Sequence, residues 1–137
     1  MLNKKLIFFL SLFGLAMAFF TLMRIPPVIE LPCWLLIYLF SAYRIAKVAN
    51  GKFFMHGFYV NMLNSAWVTT VHILFFKIYL SNHMKEAIML AKLPLHLYPD
   101  LWLLIIGVLF GALFGVVLGF FSLALARQIR KNSASLL

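Results

Sequence analysis

Acidic residues are scarce in this 137-residue sequence: Glu30, Glu86 and Asp100 stand against twelve Lys and Arg. Charged residues of either sign make up only 11% of the chain, against about 25% in an average soluble domain. One cysteine, Cys33, excludes an intramolecular disulfide and a cysteine-built metal site. No repeat of 20–50 residues and no low-complexity segment interrupts the chain, so neither a solenoid nor a disordered tail is expected. Catalytic signatures are missing too. There is no phosphate-binding loop, and Ser, His and Asp occur without a GxSxG context.

Apolar residues fill the space the charges leave. They reach 65% of the sequence, fifteen of them Phe, and the mean hydropathy is +1.02. A soluble domain of this length has too little interior to hide them, which excludes an ordinary globular protein and disorder alike. A net charge of +9 raises the question of nucleic acid. A chain so poor in polar residues has a better partner in the lipid bilayer, and no nucleic acid is expected.

A helix needs about 20 apolar residues to cross the hydrocarbon layer. Four stretches qualify, at about 6–23, 31–49, 53–80 and 101–126, and the sequence predicts an all-α, four-helix transmembrane bundle in a single domain, 1–137. Arg44 and Lys47 near the end of the second stretch are placed to snorkel. The third is longer than a span requires and must tilt or protrude. Lys4-Lys5, the following apolar run and Ala16-Met17-Ala18 also read as a secretory signal with an A-x-A site. The apolar run continues to Met23 and more spans follow, so an uncleaved first helix is the preferred reading. Residues 81–100 form the largest outer loop, and within it 82–93 reads as a short amphipathic helix at the interface.

Charge placement gives a direction. If the N-terminus, the 44–52 link and the C-terminal tail share a side, that side holds eight Lys/Arg and no acid. The opposite side holds Arg24, Lys77, Lys85, Lys92 and all three acids. Lysine and arginine excess marks the cytoplasmic side, so both termini are expected inside, in a bacterial cytoplasmic (inner) membrane. Arg127, Arg130 and Lys131, with Arg44, Lys47 and Lys52, also suit anionic lipid head groups, although fixing topology alone accounts for them.

Two patterns stand out within the spans. Gly107, Gly111, Gly115 and Gly119 repeat at four-residue spacing, a glycine zipper in which each glycine turns only about 40° from the last. Such a strip lets another helix approach closely. A second copy is one partner; the other is the first span, where Ser11, Gly14, Ala18 and Thr21 draw their own small-residue stripe. In the third span, Asn61, Asn64, Ser65 and His72 share a face with Gly57, while His56 points away. That face reads as a polar path or small binding site, or as interhelical hydrogen-bond glue.

The spans contain no Asp or Glu, which disfavours a small multidrug-type proton exchanger, since that mechanism needs a buried carboxylate. Spans one, two and four contain no histidine, so facing axial ligands for a b-type haem are lacking, and no cofactor is expected. His72, His83 and His96 with Glu86 and Asp100 all fall on the outer side, but their spacings match no established metal pattern.

Tyr43-Arg44, Gly51-Lys52-Phe53-Phe54, Gly57-Phe58 and the glycine-rich last span ending in Arg127 resemble a family of small bacterial four-span membrane proteins, a domain of unknown function. The Pro-Glu or Asn-Pro element usual after its third span has only Leu93-Pro94 as a counterpart. The resemblance implies the four-span architecture and no activity. The sequence thus predicts a non-enzymatic membrane protein acting through helix–helix packing, as accessory subunit, scaffold or homo-oligomer. A channel or carrier along span three is the alternative, and a membrane enzyme with an outward site near His72, His83 and Asp100 comes third.

Overall fold

The computed structural model describes residues 1–92 and 98–134, and it is all helical: α1 Lys4–Leu22, α2 Pro27–Val48, α3 Phe53–Leu74, α4 Phe76–Asn82, α5 Met84–Lys92 and α6 Pro99–Ala134. Three of these, α1, α2 and α6 from Asp100 onward, are long and apolar enough to cross a membrane. Phe8, Phe9, Phe19 and Phe20 on α1, Leu31, Leu35 and Leu36 on α2, and Leu109, Leu113 and Phe120 on α6 all stand exposed. No soluble monomer tolerates an apolar surface of that extent, which points to an integral membrane protein. The helix α3 is not among the three, because its asparagines and histidines dilute its hydropathy.

Each helix begins and ends for a local reason. The Asn3 side chain caps α1 by accepting the Leu6 N–H at 3.1 Å. Pro27 starts α2 at a position where a missing N–H costs nothing. Between α2 and α3 the chain turns through Gly51 (φ +151°), a conformation open to glycine, and Lys52 (φ 51°), which stands in the left-handed region. The single run expected over 53–80 is two helices. At Phe75 (φ −107°, ψ 35°) α3 stops, once its 22 residues already span about 33 Å, and the surplus continues as α4. The short outer helix predicted over 82–93 is α5.

Contacts at the two ends fix the directions. The Asn3 N–H donates to His56 Nε2 (2.9 Å), and the Arg130 guanidinium lies 4.7 Å above the Phe53 ring, so the starts of α1 and α3 and the end of α6 share one end. At the other end Asn82 Nδ2 donates to the Leu22 carbonyl (3.1 Å). Helices α1 and α3 therefore run one way and α6 the other. The last, at 36 residues about 54 Å long, carries Arg127, Arg130 and Lys131 well past an ordinary span.

The helix α3 occupies the middle, packed on α1 along one side and on α6 along the other, and α2 leans mainly on α6. The apolar core gathers at the end holding the termini: Leu6, Ile7 and Leu10 of α1 meet Ala42 and Ile45 of α2, Ala49 just beyond it, Val60 of α3 and Leu118 of α6. All the buried residues of α2 lie in its second half, at Ser41, Ala42, Ile45 and Ala46. Its first half, where Pro32 cannot donate to the Val28 carbonyl, stands away from the bundle. The bundle is closed at one end and open at the other.

Candidate functional site: a lateral cleft with a polar floor

The glycine strip of α6 fits against α3. A Cβ on Gly107 would run into the Thr69 hydroxyl, one on Gly111 would meet Ser65 Cβ at 2.8 Å, and ones on Gly115 and Gly119 would press on Phe58 and Phe54. Gly57 answers from α3: its Cβ would sit 2.6 Å from the Leu118 carbonyl oxygen and 2.8 Å from the Gly119 nitrogen. The mate of the strip within the chain is thus α3 and not the first span. The small-residue stripe of α1 has the same mate. Gly14 packs on Asn64, Ser11 Oγ accepts from Trp67 Nε1 (3.2 Å), and Thr21 meets His72.

Close approach exposes glycine carbonyls to side chains of α3. Asn61 Nδ2 donates to the Gly111 carbonyl at 3.0 Å and Ser65 Oγ to the Gly107 carbonyl at 2.5 Å. Tyr38 of α2 reaches across and donates its hydroxyl to Asn61 Oδ1 (2.5 Å). Asn61 and Ser65 are thereby spoken for, as buried polar groups generally are.

The four polar residues of α3 divide between its neighbours. Asn61 and Ser65 turn to α6, Asn64 borders the same cleft but packs its amide oxygen against Gly14 of α1, and His72 lies apart from the cleft. His72 Nε2 lies 3.1 Å from Thr21 Oγ1, whose own proton goes to the Met17 carbonyl (2.9 Å), so the ring donates and carries its proton on Nε2. Its ring then stacks on Tyr79 (4.3 Å), which stacks on His83 (4.4 Å). His56 is fully buried; with Asn3 donating to Nε2, its Nδ1–H bonds the Lys52 carbonyl (3.0 Å). Among the described residues no His, Cys, Asp and Glu gather as metal ligands; His96 lies outside them.

The cleft itself follows from the lean of α2. It measures about 520 Å³ and opens sideways between the first half of α2 and the α3–α6 pair. Leu31, Trp34, Leu35 and Leu39 form one wall and Phe110, Phe114, Val117 and Phe121 the other, with Asn61, Asn64 and Ser65 as floor. Glu30 stands at the rim and accepts from Trp34 Nε1 (3.3 Å). Apolar walls with a few convergent polar groups, at this volume, are the usual make-up of a ligand site. Asn64 is 1% exposed, and neither its Nδ2 nor its Oδ1 has a partner.

Sequence reasoning found the floor and missed the wall. Glu30, Trp34 and Tyr38 recur every four residues, the one signal that marks a face of α2. Comparison with known proteins adds nothing to this geometry: no family model, curated protein or solved structure matches the chain.

Proposed function

We propose that this chain is a four-span, non-enzymatic membrane protein that binds a lipophilic molecule in the cleft between α2 and the α3–α6 pair. The carrying observation is the cleft: an apolar volume of about 520 Å³, open sideways, walled by Trp34, Leu35, Phe110 and Phe114 with a few polar side chains at its floor. In this reading α3 is the fourth span. Its 22 residues match the hydrocarbon thickness, and its polar side chains are turned to α1, α2 and α6. Both termini face the cytoplasm of a bacterial cell, where the Arg127–Lys131 edge meets anionic head groups. A reporter fused after Ala134 is expected to be active in the cytoplasm and one fused after Lys92 outside it; both on one side would overturn the topology.

Native mass spectrometry from mild detergent tests the binding. The expected spectrum shows the protein with a small lipophilic adduct that Leu35→Trp, which fills the cleft, removes. An adduct retained by Leu35→Trp, or none in the parent protein, counts against the reading.

An accessory or homo-oligomeric role is supported by a separate observation, the outward side of the first half of α2, where Val28 is 81% and Leu36 66% exposed. Cys33 lies on this half and provides the test. Oxidative crosslinking in native membranes should join two copies through it, and its absence leaves the lipophile-binding role alone. A through-path along α3 has less support, since His72 faces α1 and lies apart from the cleft.

A further inference from the structure

We infer that the cleft takes a lipophilic monocation, its positive head held by the Glu30 carboxylate and the Trp34 indole and its apolar body laid along α2 toward Tyr38. The inference rests on the binding role proposed above and names the class of ligand. Three observations carry it.

The first is the rim. Glu30 is half-buried and lines the cleft. It stands in the first turn of α2, where the positive end of the helix dipole favours a negative charge. One of its oxygens accepts from Trp34 Nε1 (3.3 Å), and among the described residues no lysine or arginine forms an ion pair with it. The chain has twelve Lys and Arg for three acids, and none of them is set against this one. A carboxylate at the mouth of an apolar cleft thus keeps a free oxygen for a cation from outside the chain.

The second is the indole beside it. Trp34 is fixed from two sides: Glu30 takes its N–H, and Tyr38 meets its ring edge-on, with centroids 6.4 Å apart at 81°. Tyr38 is tied in turn to Asn61 of α3. A pyridinium or quaternary ammonium placed here gains cation–π attraction and a counter-charge together. A neutral head gains neither, and an anionic head is repelled by Glu30.

The third is the change in character away from the rim. Leu31, Leu35, Phe110 and Phe114 line an apolar space, and at its floor Asn61 and Ser65 are already bonded to Tyr38, Gly111 and Gly107. Among the described residues Glu30 is the one charged side chain on the cleft. A second positive charge would lie in the apolar part without a partner, so the ligand carries one. From Glu30 to Tyr38 the wall runs about 12 Å, at 1.5 Å per residue, which fits an amphiphile with its charge at one end.

The test uses the full-length protein in micelles of an uncharged detergent, with tritiated N-decylpyridinium as probe and scintillation proximity as readout. Decylbenzene, which has the same tail on a ring without charge, competes for the site. Saturable pyridinium binding is expected, with decylbenzene weaker by about tenfold, the joint worth of an exposed ion pair and a cation–π contact. Glu30→Gln, which keeps an acceptor for Trp34, should remove most of that preference and leave decylbenzene unchanged. Leu35→Trp should abolish binding of both. Equal affinity of the two probes, or a preference unchanged in Glu30→Gln, overturns the cation assignment and leaves a general lipophile site. Pyridinium binding that persists in Leu35→Trp places the ligand elsewhere and overturns it too. If neither probe binds and Leu35→Trp instead splits a dimer, the occupant is a second copy of the chain. If neither probe binds and the mass spectrum also lacks an adduct, the binding role itself falls.

Discussion

Individual side chains in this protein are placed by the need to leave no polar group facing lipid. The pair Thr21–His72 illustrates it: the hydroxyl pays its proton to Met17 and takes one from the imidazole. Thr21→Val should remove the Thr21–His72 bond from the α1–α3 seam and cost about 0.6–2 kcal/mol, while Thr21→Ser restores most of it; chemical unfolding in mixed micelles measures both. Glycines sort by what their missing Cβ would strike. At Gly57 the obstacle is the α6 backbone at Leu118 and Gly119, which cannot step aside, so Gly57→Ala should cost about 1–3 kcal/mol. At Gly115 the nearest obstacles, the Phe58 ring at 3.1 Å and the Phe58 carbonyl at 3.2 Å, stand farther off, and Gly115→Ala should cost less than Gly57→Ala. A thermal melt of the two variants side by side checks the order.

Among the elements, α2 is the one built unequally. Its second half carries four buried residues and joins the core; its first half has none and contains Pro32. The missing N–H at Pro32 takes one rung from the helix ladder in the half that also lacks packing. Pro32→Ala restores that rung to the Val28 carbonyl. Amide exchange over residues 31–36 is then expected to slow several-fold, with no change in the second half; hydrogen exchange followed by mass spectrometry reads both halves in one experiment. The α3–α6 seam behaves in the opposite way, since glycine faces and side-chain bonds to glycine carbonyls lock it along its length. A bulky residue at Gly111 should therefore unfold the chain, and size-exclusion of Gly111→Leu should show aggregate or loss of protein in place of a cleanly dissociated monomer.

At the scale of the whole molecule, tight packing at the end bearing the termini and looseness at the other produce a bundle with a side opening. The α1–α3–α6 group forms a scaffold, and α2 is a flap anchored by its second half. Filling the opening should stiffen the flap. Saturating the protein with a ligand at a hundred times its Kd adds about 2.7 kcal/mol to stability, so a thermal-shift screen of neutral, charged and tail-only lipophiles ranks them directly.

Much of this architecture was legible in the chain. Three of the four apolar stretches stand as helices long and apolar enough to cross a membrane, because bilayer thickness acts on each segment separately; the third, over 53–80, divides into α3 and α4. Helical spacing alone also put the four α6 glycines on one strip and Asn61, Asn64, Ser65 and His72 on one face, because both patterns repeat within a single helix, although His72 meets Thr21 of α1 and lies apart from the cleft. Two things depended on neighbours. Which helix fills the glycine strip is a matter of shape across a seam, and α3, with Gly57 facing Leu118, fits it. That Asn64 lacks a partner while Asn61 and Ser65 have theirs depends on where α2 and α6 stand, and no residue pattern carries that information. The sequence by itself determined a basic, acid-poor helical chain made for a membrane; the tertiary structure decided that its polar face is part glue and part floor, because the lean of one helix opens a space above it.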